Sequence, residues 1–447
     1  MKRRLYVLYR ATEGAKMWLF TRFTPLGRVV LLSCCIAAIF GLGVQRTMIF
    51  QIFVLTGVML VFSFFSSLLF KSNVVVKRVL PDSCIAGRKL RYRIHIENQG
   101  STVEQGLFFR ELVSSSLPSR QEFLNIHEEG EEKRNIFDKK MGYYRWLWLL
   151  QKRRRIECTD QVLPDIPAGK SLEIEVDIFP LRRGNIHFEG YVLGRADAFG
   201  LCKREIIRKS SCNLLVLPKL YQAPQLFFDG KRKYHRGGII GAQRQGESNE
   251  FLSLREYVHG DPIKHIDWKA TARTGSTIVK QYCDEYFSRY GLVLDSFTNS
   301  RFSMVFEEAV SVAASILMAQ DNVNAILDLL FVGDECVSCS VGSRDEGHKR
   351  MLEILASVSS CQDKSFTELS GLVKSHASLL SGVVVVLIDL DDARRELVHY
   401  LIAHNIPVKT LLIVERQENL SGKKMSRENI PLKVFEAGHV EAQLAEL

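Results

Sequence analysis

"YGLVLDSFTN", residues Tyr290 to Asn299, opens with an apolar run that stops on Asp295. A short unbroken run of this kind reads as a strand buried on both faces. The residues after it decide the layering. In "RFSMVFEEAVSVAASILMA" the apolar Phe302, Val305, Phe306, Ala309, Val310, Ala313, Ile316 and Leu317 form one helical stripe. "AILDLLFVG" then reads as a strand, "DEGHKRMLEILASV" as a helix and "SGVVVVLIDLD" as a strand. "DARRELVHYLIAHN" reads as a helix and "PVKTLLIV" as a last strand. This alternation over residues 290–447 predicts a doubly wound α/β domain with a mainly parallel sheet. Ligands on such sheets sit at the carboxyl ends of strands, which points to Asp295 and to the cluster Asp389 to Asp392.

Upstream lies a linker with a charged block, residues 223–289. Its first part, Phe227 to Glu250, is basic and Gly-rich, and its glycines lack the spacing of a phosphate loop. The block follows as "LREYVHGDPIKHIDWKATART", Leu254 to Thr274, which carries Arg255, Tyr257, Gly260, Asp261, Asp267, Trp268, Lys269 and Arg273. Three roles fit such a stretch: an active site, a docking face, or a polar clamp holding the α/β domain to what precedes it. Asp267 stands where an N-cap would accept the amides of Lys269 and Ala270. Arg255 and Arg273 have acids nearby in sequence, as a clamp requires. No nucleophile elbow, HExxH helix or phosphate cradle accompanies them, so the chain is expected not to be an enzyme and to have no catalytic residue. The expectation is a clamp whose remaining surface meets a partner.

Residues 73–222 alternate with period two. "LRYRIHIE" places Leu90, Tyr92, Ile94 and Ile96 on one face, and "SLEIEVDIF" does the same with Leu172, Ile174, Val176 and Ile178. Gly-rich breakers separate such runs, as in an antiparallel β-sandwich. "GYYRWLWLLQKRRR" interrupts them, and reads either as a long hairpin with Tyr144, Trp146 and Trp148 over the sandwich, or as a patch presenting its aromatics and Arg153 to Arg155 to lipid.

The N-terminal part is apolar. "VVLLSCCIAAIFGLGV" (Val29 to Val44) and "IFQIFVLTGVMLVFSFFSSLLF" (Ile49 to Phe70) carry no charge and are separated by "QRTM". The second is long enough for a hydrocarbon core of roughly 30 Å, and the first becomes so with Thr24 to Gly27. Residues 29–70 are therefore expected to form a transmembrane helical hairpin. The flank 1–28 is rich in Lys and Arg, which places it and everything after Phe70 on the cytoplasmic side. Most of the excess in the net charge of +10 lies in this flank, which disfavours nucleic acid as a partner and favours the lipid bilayer. The ten cysteines lack framework spacing and fit a reducing cytosol. "CVSC", Cys336 to Cys339, has the spacing of a zinc half-site, but no second pair follows it and the stretch reads as a strand.

The order of these parts, with "FLSLREYVHGDPIKHIDWKATAR" and "LRRGNIHFEGYVLGRADAFGLCKR", resembles the bacterial DUF58 proteins over nearly the whole chain. The resemblance implies a von Willebrand factor A-like α/β domain and association with a MoxR-type AAA+ ATPase. It also implies a Mg²⁺ site, built on Asp-x-Ser-x-Ser at the end of the first strand. Here that motif is "DSFTN", with Phe297 and Asn299 in place of the two serines. Asn299 offers an oxygen and Phe297 none, while Asp389 or Asp391 could add a carboxylate to Asp295. No cofactor is expected, Mg²⁺ being the one ion this reduced set could take. The whole predicts an inner-membrane-anchored adaptor that works with an ATPase in assembling a complex or envelope component. The alternatives are a structural envelope or cell-wall scaffold without an ATPase partner and, behind it, an unrecognised hydrolase.

Overall fold

The computed structural model describes residues 2–41, 48–114, 117–128, 130–225, 234–235, 251–282, 286–298, 303–320, 325–333, 336–342, 345–362, 364–415 and 431–446. Most of the 227–250 connector, the "QRTM" turn except Met48, and Asn299 lie outside them. The chain divides into two compact units, Met1–Leu217 and Pro218–Leu447.

The first unit begins with three helices, α1 (Lys2–Arg22), α2 (Pro25–Gly41) and α3 (Met48–Leu68). α3 is long and apolar enough to cross a membrane, and α2 is a shorter apolar helix. Helix α2 starts where local chemistry dictates. Pro25 takes the first helical position, and the Thr24 hydroxyl accepts the Gly27 amide at 3.0 Å.

Among the described residues nine strands follow: β1 (Val74–Val79), β2 (Ser83–Ile85), β3 (Leu90–Asn98), β4 (Leu107–Val113), β5 (Ile156–Cys158), β6 (Gln161–Val162), β7 (Ser171–Pro180), β8 (Gly184–Ala196) and β9 (Lys203–Leu217). They make two sheets, ordered β1-β3-β7-β5 and β2-β9-β8-β4-β6. β3 and β7 pair antiparallel, with Ile94 opposite Ile174 and Tyr92 opposite Val176. Tyr92, Ile94 and Ile96 from one sheet and Phe109, Ile186, Phe188 and Leu214 from the other bury one shared core. The period-two faces thus point inward as their alternation predicts.

The "GYYRWLWLLQKRRR" stretch departs from both expectations. It folds into α6 (Tyr143–Arg153), preceded by α4 (Arg120–Asn125) and α5 (Ile136–Met141) between β4 and β5. Arg145, Trp146 and Leu149 are its buried residues, a helical spacing that the strand-favouring aromatics conceal. Trp146 packs edge-on against Tyr6 and Phe123 at 5.8 and 5.9 Å, so α6 binds helix α1. The arginines expected to face lipid bond to protein instead. Arg153 pairs with Glu122, Arg154 with Glu157 at 3.0 Å, and Arg155 donates to the Asn185 carbonyl at 2.9 Å.

The β8–β9 turn, "DAFG", reaches the apolar helices. Asp197 shapes it by accepting the amides of Phe199, Leu201 and Cys202. Ser63, inside α3, accepts the Cys202 amide at 3.1 Å, and Phe199 lies edge-on to Phe62 of α3 at 5.7 Å. A Cβ on Gly27 would lie 1.8 Å from the Leu201 carbonyl oxygen, so only glycine fits there.

The second unit contains β10 (Tyr234–His235), β11 (Phe251–Glu256), α7 (Trp268–Thr274), β12 (Ile278–Tyr282), β13 (Tyr286–Leu294), α8 (Met304–Ala319), β14 (Ala325–Val332), β15 (Cys336–Gly342), α9 (Asp345–Ser357), α10 (Phe366–His376), β16 (Gly382–Leu387), α11 (Asp392–Ala403), β17 (Val408–Val414), β18 (Leu432–Glu436) and α12 (Val440–Ala445). Its main sheet runs β15-β14-β13-β16-β17-β18, with β10 also pairing β13. β13, β14, β16, β17 and β18 are mutually parallel, and β15 is antiparallel at the edge. Every residue of β16 is buried, as its run of valines predicts. β11 and β12 form a separate antiparallel pair.

Candidate functional site

The charged block is the connection between β11 and β12. Its turn is built by one ion pair. Arg255 grips Asp261 through both terminal nitrogens at 2.7 Å each, and the Asp261 carboxylate also accepts the Val258 amide at 3.0 Å. Gly260 takes φ 109° inside this turn, a conformation side chains resist. Asp267 caps α7 by accepting the amides of Lys269 at 3.0 Å and Ala270 at 3.1 Å. The Ala270 amide, together with Lys280 at 3.5 Å, holds the Asp267 carboxyl below its usual range. The helix returns to β12 through the Thr271 hydroxyl, which accepts the Ile278 amide, and ends on Gly275 in the left-handed region.

These contacts bring Arg255 to Asp261, use Asp267 as a cap, and leave Trp268, Lys269 and Arg273 on the outside. Tyr257 is half-buried at the end of β11. Lys269 and Arg273 are exposed, and Arg273 has no acidic partner among the described residues. Trp268 is 68% exposed, and Leu254, Val258 and Ile263 are exposed as well. Both aspartates are thus occupied in shaping a hairpin that carries apolar and cationic side chains outward.

The second group lies at the carboxyl ends of β13 and β16. Numbered from β13, the sheet order is 3-2-1-4-5-6, so these two strands flank the topological switch point. Asp295, just past β13, is completely buried. Its carboxylate accepts four hydrogen bonds. The amides of Phe297 and Ile388 donate at 3.1 and 3.2 Å, and Arg394 of α11 donates through Nε at 2.6 Å and Nη2 at 3.1 Å. A carboxylate has about four lone-pair positions, and here all are filled. Arg394 also binds Asp391, the cap of α11, at 2.6 Å, and donates to the Phe297 carbonyl. Burial pushes the Asp295 carboxyl up, against the pull of Arg394 and the two amides. The Arg394 guanidinium is held charged: its burial opposes this, but Asp295, Asp391 and Asp389 outweigh it.

The Mg²⁺ set does not fit this arrangement. Asp295 has no free lone pair, and the Ser296 hydroxyl donates to the Val332 carbonyl. Phe297 packs edge-on against Phe366 at 5.8 Å. Asp389 accepts the amide of Leu390, and Asp391 caps α11. Among the described residues no group of three or more His, Cys, Asp or Glu is placed to hold a metal ion. Arg394 is absent from the sequence-derived set. Its signal was a cation in the first turn of a helix, where the macrodipole disfavours one unless an acid waits nearby.

Together these features define a multi-domain protein with an apolar N-terminal helix, a β-rich unit, and an α/β unit fronted by a charged hairpin. Residues 253–419 match the family model described as "Protein of unknown function DUF58". A relative from Bacillus subtilis (strain 168), "Uncharacterized protein YeaD", is 27% identical over 189 residues, 42% of this chain and 46% of that protein. The match therefore spans less than half of the relative's length. Two solved structures resemble parts of the chain. "Crystal structure of manganese-loaded Plasmodium vivax TRAP protein" is 10% identical with a TM-score of 0.26, over 36% of this chain and 73% of that one. "ASH / PapD-like domain of human CEP192 (PapD-like domain 7)" is 11% identical with a TM-score of 0.16, over 33% of this chain and 86% of that one. Likenesses this distant say nothing about ligands.

Proposed function

We propose that the chain is a non-enzymatic adaptor anchored in the bacterial inner membrane, which presents the 251–282 hairpin to a MoxR-type AAA+ ATPase. The observation that carries this reading is the outward display of Trp268, Ile263, Val258, Lys269 and Arg273 on a hairpin held by its own Arg255–Asp261 pair. Exposed aromatics beside cations are the usual anchors of a protein interface. Catalysis is disfavoured because Asp261 and Asp267 are already bonded to a guanidinium and to backbone amides. In this reading α2 and α3 span the bilayer as a hairpin with both ends cytoplasmic, the Lys- and Arg-rich flank supporting the orientation. The 3-2-1-4-5-6 order with one antiparallel edge supports a von Willebrand A-like domain for residues 290–447. That domain works without a metal, Arg394 supplying the positive charge.

The test is affinity purification of the tagged full-length protein from cross-linked membranes, read by mass spectrometry. A MoxR-type ATPase is expected with wild type, and about tenfold less with Trp268→Ser, whose exposed side chain can be lost without unfolding the hairpin. An unchanged yield from Trp268→Ser would move the contact off the hairpin. Recovery of envelope proteins with no ATPase would favour a scaffold instead.

A further inference from the structure

Between the first three turns of α1 and the segment 117–120 ahead of α4 lies an open cleft of about 1020 Å³. Arg3, Arg4, Arg10 and Arg120 line it, all four exposed. Elsewhere in this unit arginines meet acids, as Arg78 meets Glu111, Arg110 meets Glu205 and Arg145 meets Glu131. Among the described residues none of the four cleft arginines has such a partner. The nearby carboxylate of Glu122 is engaged by Arg153 and by the Ser119 amide. The walls are apolar, made by Val7, Leu117 and Pro118, with the Tyr6 hydroxyl tied to the Pro118 carbonyl at 3.1 Å. Strong anion donors around an apolar wall suit an amphiphile whose head is a phosphate, a group that guanidinium binds through paired hydrogen bonds.

The face of α1 that borders the cleft shows where such a molecule comes from. Arg3, Val7, Arg10, Gly14 and Met17 follow one another at intervals of four, three, four and three residues, which is a single helical stripe. Met17, Trp18 and Phe20 are exposed at the end of α1 that leads into α2, and Arg28 stacks on Phe20 at 4.0 Å. An outward stripe of arginines and apolar side chains, with exposed Trp18 and Phe20 at its far end, matches a helix lying in the headgroup layer. We infer that this cleft binds the phosphate headgroup of an anionic phospholipid, taken from the membrane face that α2 and α3 enter.

This deepens the anchored-adaptor reading and rests on its membrane placement. The full chain, purified in detergent, is examined by native mass spectrometry with equal amounts of phosphatidylglycerol and phosphatidylcholine. A phosphatidylglycerol adduct is expected at about tenfold higher occupancy. It should vanish in the quadruple variant Arg3→Gln, Arg4→Gln, Arg10→Gln and Arg120→Gln. It should persist in a variant losing the same charge elsewhere in the unit, Arg88→Gln, Lys170→Gln, Arg204→Gln and Lys209→Gln. If the quadruple variant misfolds by circular dichroism, Arg10→Gln and Arg120→Gln singly should each weaken the adduct. Equal occupancy of both lipids, or equal loss in the two charge variants, overturns the site. Displacement by millimolar inorganic phosphate makes it a site for free phosphate and overturns the lipid source. Alkaline extraction of the membranes reads the anchor separately, so its failure is distinguishable from failure of the cleft.

Discussion

Among the arginines buried against carboxylates, Arg78 in the first unit and Arg394 in the second differ in where the fold puts them. Arg78 on β1 crosses to Glu111 on β4, with bonds of 2.7 to 3.0 Å, and fills its remaining donors with the Ser210 and Gly190 carbonyls. It ties one sheet of the sandwich to the other, in mid-strand. Arg394 meets Asp295 with similar geometry, but at the carboxyl ends of β13 and β16, where a sheet of this order presents ligands. The same chemical pair is a brace in one place and the occupant of a crevice in the other. Position in the topology, more than chemistry, assigns the role.

The largest effect should be common to both. Arg78→Met or Arg394→Met leaves a buried carboxylate without its partner, at a cost of about 3–5 kcal/mol. Chemical denaturation of the full chain, followed on the unit that carries the substitution, measures it. A loss confined to Arg78→Met would show that Asp295 finds water or protons easily and that its site is open. The next test separates the two centres. With Arg394→Ala, Mn²⁺ at a few times its Kd should return about 1 kcal/mol, because Asp295 and Asp391 then face an empty crevice. Arg78→Ala should gain nothing. Equal responses of the melting temperature would erase the distinction.

Two further ion pairs of the first unit extend the comparison, Arg145 with Glu131 and Arg153 with Glu122. Burial alone would raise Glu131 and Glu122, but hydrogen bonds from Arg145 and Arg153 outweigh it and leave both carboxyls below their ordinary range. Their contribution is therefore complete above the ordinary carboxylate range and is lost as the pH falls through it toward the folded values. The near-ultraviolet signal of Trp146 should weaken over that window, while the sandwich amide signal holds. The smallest effect belongs to Asp267, whose carboxyl is also depressed, by the Ala270 amide first. Protection of the Lys269 and Ala270 amides from hydrogen exchange should fall over the same acidic window, and Asp267→Asn should flatten that dependence.

The sequence shows what is local and hides what is not. β13, β14, β16 and β17 are legible because strands buried on both faces need unbroken apolar runs. The cap at Asp267 is legible because its partners lie two and three residues away. Arg394 is not, since its carboxylate is 99 positions distant. Helix α6 was hidden for another reason: its aromatics favour strands in isolation, and only packing on Tyr6 and Phe123 selects the helix. At the Asp295 site the departures from the Mg²⁺ motif, Phe297 and Asn299, were visible, but Arg394, which bonds the Asp295 carboxylate, was not.

The contact of Gly27 with the Leu201 carbonyl has a mechanical consequence. With Ser63 holding Cys202 on the other side, the β8–β9 turn is wedged against both apolar helices rather than hung from a tether. The sandwich therefore has no swivel at its base, and its heading is fixed by the tilt of the helices beneath it. Any pull on the sandwich passes directly into those helices, as torque on a post, and a tilt of the helices would turn the sandwich with them.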